Sequence, residues 1–456
     1  MGIPRTAGMP VAMEHNLRLL HAHIDRQAEA LREQLISWRR DLHRHPELSN
    51  REFRTASLVA HHLGSLGLRV QTGVAHTGVV GVLEGAHPGP VVALRADMDA
   101  LPITEALDLP FASSATAMYE GREVGVMHAC GHDCHTAILM SVAQILTDCR
   151  EQLHGTVKFI FQPAEESPPR GEEGGAELMI QEGVLENPAP EAIFGLHVFA
   201  GMESGTIGYR CGPAMASSDT LRISIVGRQA HGGMPWQGID PIVVASQVVL
   251  ALQTIPSRQL DVTHEPAIIT LGSIQGGVRD NIIPEQVELV GTVRAFDETM
   301  RADIAHRVTR TAEKIAESAG AKAIVRIEKG YSVTVNHTAL TQAMVPTLEQ
   351  VAGPGQVFVS PKLTGAEDFS KFQERIPGMF FFLGITPRGT PRDQVAPNHS
   401  ARFEVDESAL PLGVRALAHL TVDYFSARNN QVPITESGLS ERDSIPSSIS
   451  QRAKSG

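Results

Sequence analysis

The chain has 456 residues, 42% of them apolar and 20% charged, with a formal net charge of -12 at pH 7. That length exceeds one ordinary core and predicts two domains. The acidic balance excludes a nucleic-acid binder, which needs a basic face, and no apolar run approaches the roughly 18–20 residues of a membrane span. In chain order, residues 16–44 predict one long helix, with Leu17, Leu20, Ile24, Leu31, Leu35 and Leu42 near helical spacing. A second helix is expected over 52–66. Strands at 91–94, 157–161 and 192–196, interleaved with a helix at 136–149, give an α/β pattern whose near-continuous apolar strands imply a mostly parallel sheet covered on both faces.

From 217 to 332 the pattern changes to strand 220–226, helix 239–252, strands 267–274 and 286–296, helix 299–319 and strand 323–328. This β-α-β-β-α-β order is that of a ferredoxin-like α+β module, expected here as an inserted domain. The α/β pattern resumes with helix 340–351, strand 379–384 and helix 407–425. Residues 1–216 and 333–456 are therefore expected to form one domain, with about 1–15 and 427–456 flexible.

The N-terminus lacks a continuous apolar segment of signal-peptide length. Met1-Gly2 through Thr6 fits the myristoylation pattern, of which Pro4 makes it a poor example. Four cysteines (130, 134, 149 and 211) in so long a chain do not make a disulfide framework and suit a reducing cytoplasm. There the sequons at Asn336 and Asn398 stay unused.

The stretch His128-Ala-Cys-Gly-His-Asp-Cys-His135 packs five imidazole or thiol side chains into eight residues. Those are the donors that zinc-like ions prefer. Any one of these histidines alone reads as a surface residue; five donors around a glycine favour a metal. Gly131 lets the chain turn tightly, so that alternate residues such as Cys130 and His132 aim at one point. Asp133 and His135 are expected to support the loop. Glu165 and Glu166 follow an apolar strand and point in different directions, so that one can coordinate while the other takes a proton. Their place at the strand's C-terminal end is where open α/β sheets hold their ligands. Asp97 and Asp99 lie on one side of another strand end, as ligands or as groups that orient ligands. His197 ends a strand and His399 lies in a distant loop; spacing decides neither.

These stretches, with Trp38-Arg-Arg-Asp-Leu-His-Arg-His-Pro-Glu-Leu48, Arg95-Ala-Asp-Met-Asp-Ala-Leu-Pro102, Gln162-Pro-Ala-Glu-Glu166, Gly195-Leu-His197, Ala230-His-Gly-Gly-Met-Pro235, Asp280-Asn-Ile-Ile-Pro284, Gly365-Ala-Glu-Asp-Phe369 and Asn398-His-Ser400, run in order from Trp38 to Tyr424. The chain resembles the metal-dependent amidohydrolases that include hippurate hydrolase, N-acyl-amino-acid amidohydrolases and auxin-conjugate hydrolases, relatives of aminoacylase and bacterial carboxypeptidases. The resemblance implies two divalent metal ions per subunit, zinc or manganese with nickel or cobalt also allowed, held by Cys130, His132, Glu166, His197 and His399. It implies Glu165 as general base for a metal-bound hydroxide, Asp99 as a group that orients ligands, and Asp97 outside the ligand set. His231, in an inserted lid and dimerisation domain, is implied to reach the neighbouring subunit's site and steady the tetrahedral intermediate, with Asn281 near the substrate. The implied reaction splits N-acyl-amino acids or related amides into a carboxylic acid and an amino acid, in a homodimer or larger homo-oligomer. Departures are Cys134, where a small residue is expected, and the extra terminal segments.

A dipeptidase or carboxypeptidase of the same fold is the nearest rival. A non-catalytic protein that binds metal or ligand is a second, against which the full ligand set and Glu165 stand. No Gly-x-Ser-x-Gly elbow supports a serine hydrolase.

Overall fold

The computed structural model describes residues 11–429. The Met1–Gly2 pattern and most of the terminal segments expected to be flexible lie outside the described residues; residues 11–15 and 427–429 belong to helices. Helices α1 (Val11–Ala30), α2 (Arg32–Arg44) and α3 (Phe53–Ser65) come first. The single helix expected over 16–44 is thus two, interrupted only at Leu31. The backbone there stays right-handed (φ -85°, ψ 0°), and hydrogen bonds from Leu31 N–H to Gln27 O and from Leu35 N–H to Leu31 O carry on through it.

Strands β1 (Arg69–Val74), β2 (Gly78–Glu84) and β3 (His87–Asp97) follow, then the hairpin β4 (Thr116–Tyr119) and β5 (Arg122–Gly125). Next come α4 (His132–Asp148), β6 (His154–Gln162), α5 (Gly175–Gln181), β7 (Ala192–Glu203), β8 (Ile207–Tyr209) and β9 (Gly212–Met215). The middle of the chain holds β10 (Asp219–Val226), β11 (Ala230–His231), α6 (Pro241–Leu252), β12 (Ala267–Gly276), β13 (Ile282–Ile283), β14 (Gln286–Ala295), α7 (Glu298–Ser318) and β15 (Lys322–Lys329). It closes with β16 (Thr334–Asn336), α8 (Thr338–Ala352), β17 (Val357–Val359), α9 (Phe369–Gln373), β18 (Gly378–Thr386) and α10 (Leu410–Asn429).

The main sheet has eight strands in the order β1-β2-β6-β3-β7-β18-β8-β17. Its centre, β6-β3-β7-β18, is parallel throughout, while β1 and β2 add an antiparallel edge. Both faces of the centre are covered. Val92, Leu94 and Ala96 of β3 pack with the apolar residues of α4 and α10, and Ala93 joins the opposite core with Met179 of α5 and Phe372 of α9. In β18, Phe381 enters the first core and its neighbours Phe380 and Phe382 the second, as the two-residue period of a strand requires. Each buried phenylalanine contributes roughly 1.5–3 kcal/mol.

Residues 219–329 build a separate four-stranded antiparallel sheet in the order β12-β14-β10-β15. Only one of its faces is buried. Leu221, Ile223 and Ile225 of β10 pack against Val244 and Val248 of α6 and Ile304 and Val308 of α7, a core distinct from the other two. Asp240 and Asp297 cap the two helices through Ile242 N–H and Met300 N–H, each cap being worth about 1 kcal/mol.

Candidate metal centre

The potential ligands come together where the parallel strands end. Helix α4 starts at His132, four residues before the expected start at 136, because the histidine-cysteine stretch itself forms the first turn. Gly131 immediately before it has φ +101°, and a Cβ there would come 2.2 Å from Val198 Cγ2. Only glycine satisfies both that conformation and that approach. Strand β7 was expected to end near His197 and instead runs on to Glu203. Its pairing with β3 stops at Gly195 while that with β18 continues past His197, which opens the β3 side of His197 to the site.

His399 sits in the left-handed region (φ 69°), a conformation that costs on the order of 1–3 kcal/mol and needs support from its surroundings. His399 N–H donates to Ala129 O at 2.8 Å. The Asn398 side chain pins the same loop, donating to Cys130 O at 2.9 Å and accepting from Ala200 N–H at 3.1 Å.

Cys130 Sγ lies 3.3 Å from His197 Nε2 and 3.2 Å from His399 Nε2. His399 Nε2 is 3.0 Å from Glu166 Oε1, and His132 Nε2 is 4.0 Å from that same oxygen. Cys130, His132 and His197 form one group with all donor atoms within 4.8 Å, and Cys130, Glu166 and His399 form another. Cys130 is common to both.

Two of the imidazoles are held by their Nδ1 atoms. His132 Nδ1 faces Asp99 Oδ1 at 3.1 Å and His197 Nδ1 faces Val198 O at 2.7 Å, so each ring turns Nε2, the nitrogen a cation would take, inwards. His132 Nε2 is buried without a hydrogen-bond partner among the described residues, and Glu166 Oε1, 3.0 Å from His399 Nε2, accepts no well-aligned hydrogen bond among them. Buried polar atoms are rarely left so, and a soft-to-borderline donor set around them fits a divalent cation.

The electrostatics agree. Burial disfavours a charge on His132, but Asp97, Asp99 and Glu166 outweigh it and push the imidazole up to about 10. Burial, with Glu166 and Glu165 beside it, holds the Cys130 thiol well above its usual range. The pocket thus retains protons where a cation would otherwise sit. Burial and His135 keep His197 neutral, well below the usual range.

Glu165 lies beside this cluster, its Oε2 3.9 Å from His132 Nε2. Burial and the carboxylates of Glu367, Glu166 and Asp368 push it well above the ordinary carboxylate range, as suits a group that takes up and returns a proton. Asp99 joins the parts: it accepts from Ser49 Oγ at 2.7 Å, from Glu165 N–H at 3.1 Å and from Glu166 N–H at 2.9 Å, in addition to His132. Asp97 has both oxygens engaged, with His135 Nδ1 at 2.5 Å and Arg95 Nη1 at 2.6 Å. His135 Nε2 accepts from Val198 N–H at 2.9 Å, which fixes its proton on Nδ1. Asp133 accepts from Arg39 Nε and His43 Nδ1, both at 2.8 Å, and so clamps α2 to the start of α4. His128 is buried without a hydrogen-bond partner for either ring nitrogen among the described residues, and burial lowers it to about 4.

His231 and Asn281 are not brought to the cluster. Both are exposed, His231 in β11 and Asn281 just before β13, and Gly232 N–H donates to Asn281 O at 2.8 Å. None of the hydrogen bonds or ion pairs among the described residues joins either to that cluster.

Sequence reasoning missed the layer behind the site. Arg95, fully buried, binds Gln162 Oε1 at 2.8 Å and Glu367 Oε1 and Asp368 Oδ1 at 2.9 Å each, besides Asp97. Its signal was available: Arg95 precedes Asp97 by two residues on the same strand face, and Gln162, Glu367 and Asp368 all stand in the motifs quoted above.

Residues 93–423 match the family described as peptidase family M20/M25/M40. The chain is 40% identical over 392 residues to thermostable carboxypeptidase 2 of Saccharolobus solfataricus, covering 86% of this chain and 95% of that protein. It is 41% identical over 314 residues to an N-acyl-L-amino acid amidohydrolase of Geobacillus stearothermophilus, covering 69% of this chain and 81% of that one. Among solved structures, a Bacillus subtilis protein described as a dinuclear metal binding peptidase of the M20 family superposes with a TM-score of 0.73 at 36% identity, covering 87% of this chain and 99% of its own.

Proposed function

Since this chain belongs to peptidase family M20/M25/M40 and is a hydrolase of the amidohydrolase and peptidase kind, we propose that it cleaves N-acyl-amino acids or related amides to a carboxylic acid and an amino acid at a two-metal site. The observation that carries the reading is the convergence of Cys130, His132, Glu166, His197 and His399, with the Glu165 carboxylate against them. Those five side chains would hold the ions. Two bound divalent ions supply a water acidic enough to lose its proton near neutral pH and a Lewis acid for the scissile carbonyl.

The remaining steps fall to the chain. Asp99 fixes the tautomer of His132 and the main chain of both glutamates. Glu165 takes the proton and returns it to the leaving amine, worth roughly 10²–10⁴ in rate. We read residues 217–332 as an inserted lid and dimerisation domain, and residues 1–216 and 333–456 as the catalytic domain. The supports are the separate core of the 219–329 unit and the exposed apolar residues Trp236, Val243 and Leu250 on it. His231 would then steady the developing oxyanion in a neighbouring subunit's site, with Asn281 against the substrate. Four free cysteines favour a reducing compartment, and none of the described helices is long and apolar enough to cross a membrane.

Carboxypeptidase action is the second reading, favoured by the Saccharolobus relative's name. The test is a substrate panel on protein loaded with zinc or manganese: hippurate and N-acetyl-amino acids against blocked and free dipeptides. Turnover of the acyl-amino acids at the higher kcat/KM supports the first reading, and preference for peptides replaces it with the second.

A further inference from the structure

The loop Pro163-Ala-Glu-Glu-Ser167 carries both glutamates, and two of its non-glycine residues are left-handed, Ala164 (φ 54°) and Ser167 (φ 85°). A loop of that kind keeps its shape only where its surroundings over-determine it. Three of its supports come from the body that holds the ligands. Glu52 Oε1 accepts from Ala164 N–H at 2.9 Å, and Asp99 accepts from Glu165 N–H and Glu166 N–H. Asp368 N–H also reaches the Glu165 carboxylate, at 3.4 Å from Oε1, and one further support comes from elsewhere: the Tyr331 hydroxyl donates to Glu165 O at 2.5 Å.

Tyr331 lies on the linker by which the chain returns from the 219–329 unit. Its carbonyl accepts from Ser218 N–H of the outgoing linker at 2.9 Å. The adjacent Gly330 N–H donates to Asp219 Oδ1 at 3.3 Å, and Asp219 is paired with buried Arg301 of α7. On the other side, Ser332 Oγ donates to Ser370 Oγ at 3.2 Å and Thr334 Oγ1 to Glu367 O at 3.3 Å. The phenol therefore runs from the place where the two linkers meet to the peptide of the proton-carrying glutamate.

We propose that Tyr331 is a positioning residue that fixes the Glu165 peptide, and through it the aim of the Glu165 carboxylate, in step with the seating of the 219–329 unit. The inference rests on the reading of Glu165 as proton carrier. Glu166 keeps its Asp99 contact whether or not the phenol is present, so the effect falls on turnover and leaves metal binding alone.

Tyr331→Phe removes one oxygen and keeps the ring. The expected result on metal-loaded enzyme, with the best acyl-amino acid of the panel, is unchanged metal content, KM within about twofold, and kcat lower by about 10- to 100-fold, the cost of a misplacement on the order of 1 Å. In a Glu165→Asp background, whose carboxylate is already misplaced, Tyr331→Phe adds little further loss, because groups that act through one another are not additive. Wild-type kcat in Tyr331→Phe, loss of metal, or losses that add in full would each overturn the inference. Glu165→Gln separates the two ideas. Full activity there sinks the proton-carrier reading itself, whereas an inactive Glu165→Gln beside a normal Tyr331→Phe sinks only the role of Tyr331.

Discussion

Asp99 Oδ1 lies 3.1 Å from His132 Nδ1 and 3.1 Å from the Glu165 amide nitrogen, so a single carboxylate oxygen orients the proposed ligand and the proposed base together. Asp99→Asn removes the charge, and if its amide oxygen keeps His132 and Glu165 its NH2 cannot accept from Ser49 Oγ and Glu166 N–H, which bind the other carboxylate oxygen. Metal affinity is expected to fall about 10- to 100-fold, the usual cost of a lost partner behind a ligand. Competition with a chromophoric chelator measures it, and unchanged affinity would show that His132 needs no such support.

Glu165→Gln keeps the size of the side chain and removes its basicity. Metal content is expected to stay as in the wild type while kcat falls by roughly 10²–10⁴. Elemental analysis alongside steady-state kinetics checks both halves. Retained turnover would remove Glu165 from the mechanism.

Metal loading is expected to depend steeply on pH. In the metal-free site Asp97, Asp99 and Glu166 push His132 up to about 10 against its burial, and burial with Glu166 holds the Cys130 thiol well above its usual range. Both must lose protons to bind an ion, so protons compete throughout the neutral range and affinity climbs as pH rises. Between about pH 6 and pH 8 the apparent affinity should rise by about 10²–10⁴-fold, one to two protons being displaced per ion pair. Calorimetry in buffers of different ionisation enthalpy counts those protons. A flat profile would contradict the arrangement of charges described above.

Much of the site was legible because it is local. Five donors stand within 128–135, and two glutamates are adjacent after a strand. What escaped depends on chain segments far apart. Tyr331 meets Glu165 across 166 positions and Arg95 meets Asp368 across 273, and no periodicity reports such pairs. The ends of elements were misjudged where one residue outweighs a pattern. Gly131 brings the start of α4 forward to His132, and β18 carries β7 on past His197 after β3 has left it. The edge strands β1 and β17 were not foreseen because their faces are mostly exposed or half-buried, which weakens the apolar signal.

His231 is exposed and apart from its own chain's cluster, so its proposed role requires a partner. His231→Ala and Glu165→Gln are each expected to be inactive alone. Mixed, dissociated and reassociated, they should recover part of the activity, because one of the two mixed sites would have both residues intact. No recovery, with exchange of subunits verified by mass, would place His231 outside any neighbouring site.

Anomalous diffraction from crystals of zinc- or manganese-loaded protein tests the central claim most directly. Two peaks are predicted per chain, with Cys130, His132, His197, Glu166 and His399 as their protein ligands and Glu165 left unbound beside them. One peak, none, or peaks bound by other side chains would contradict the account.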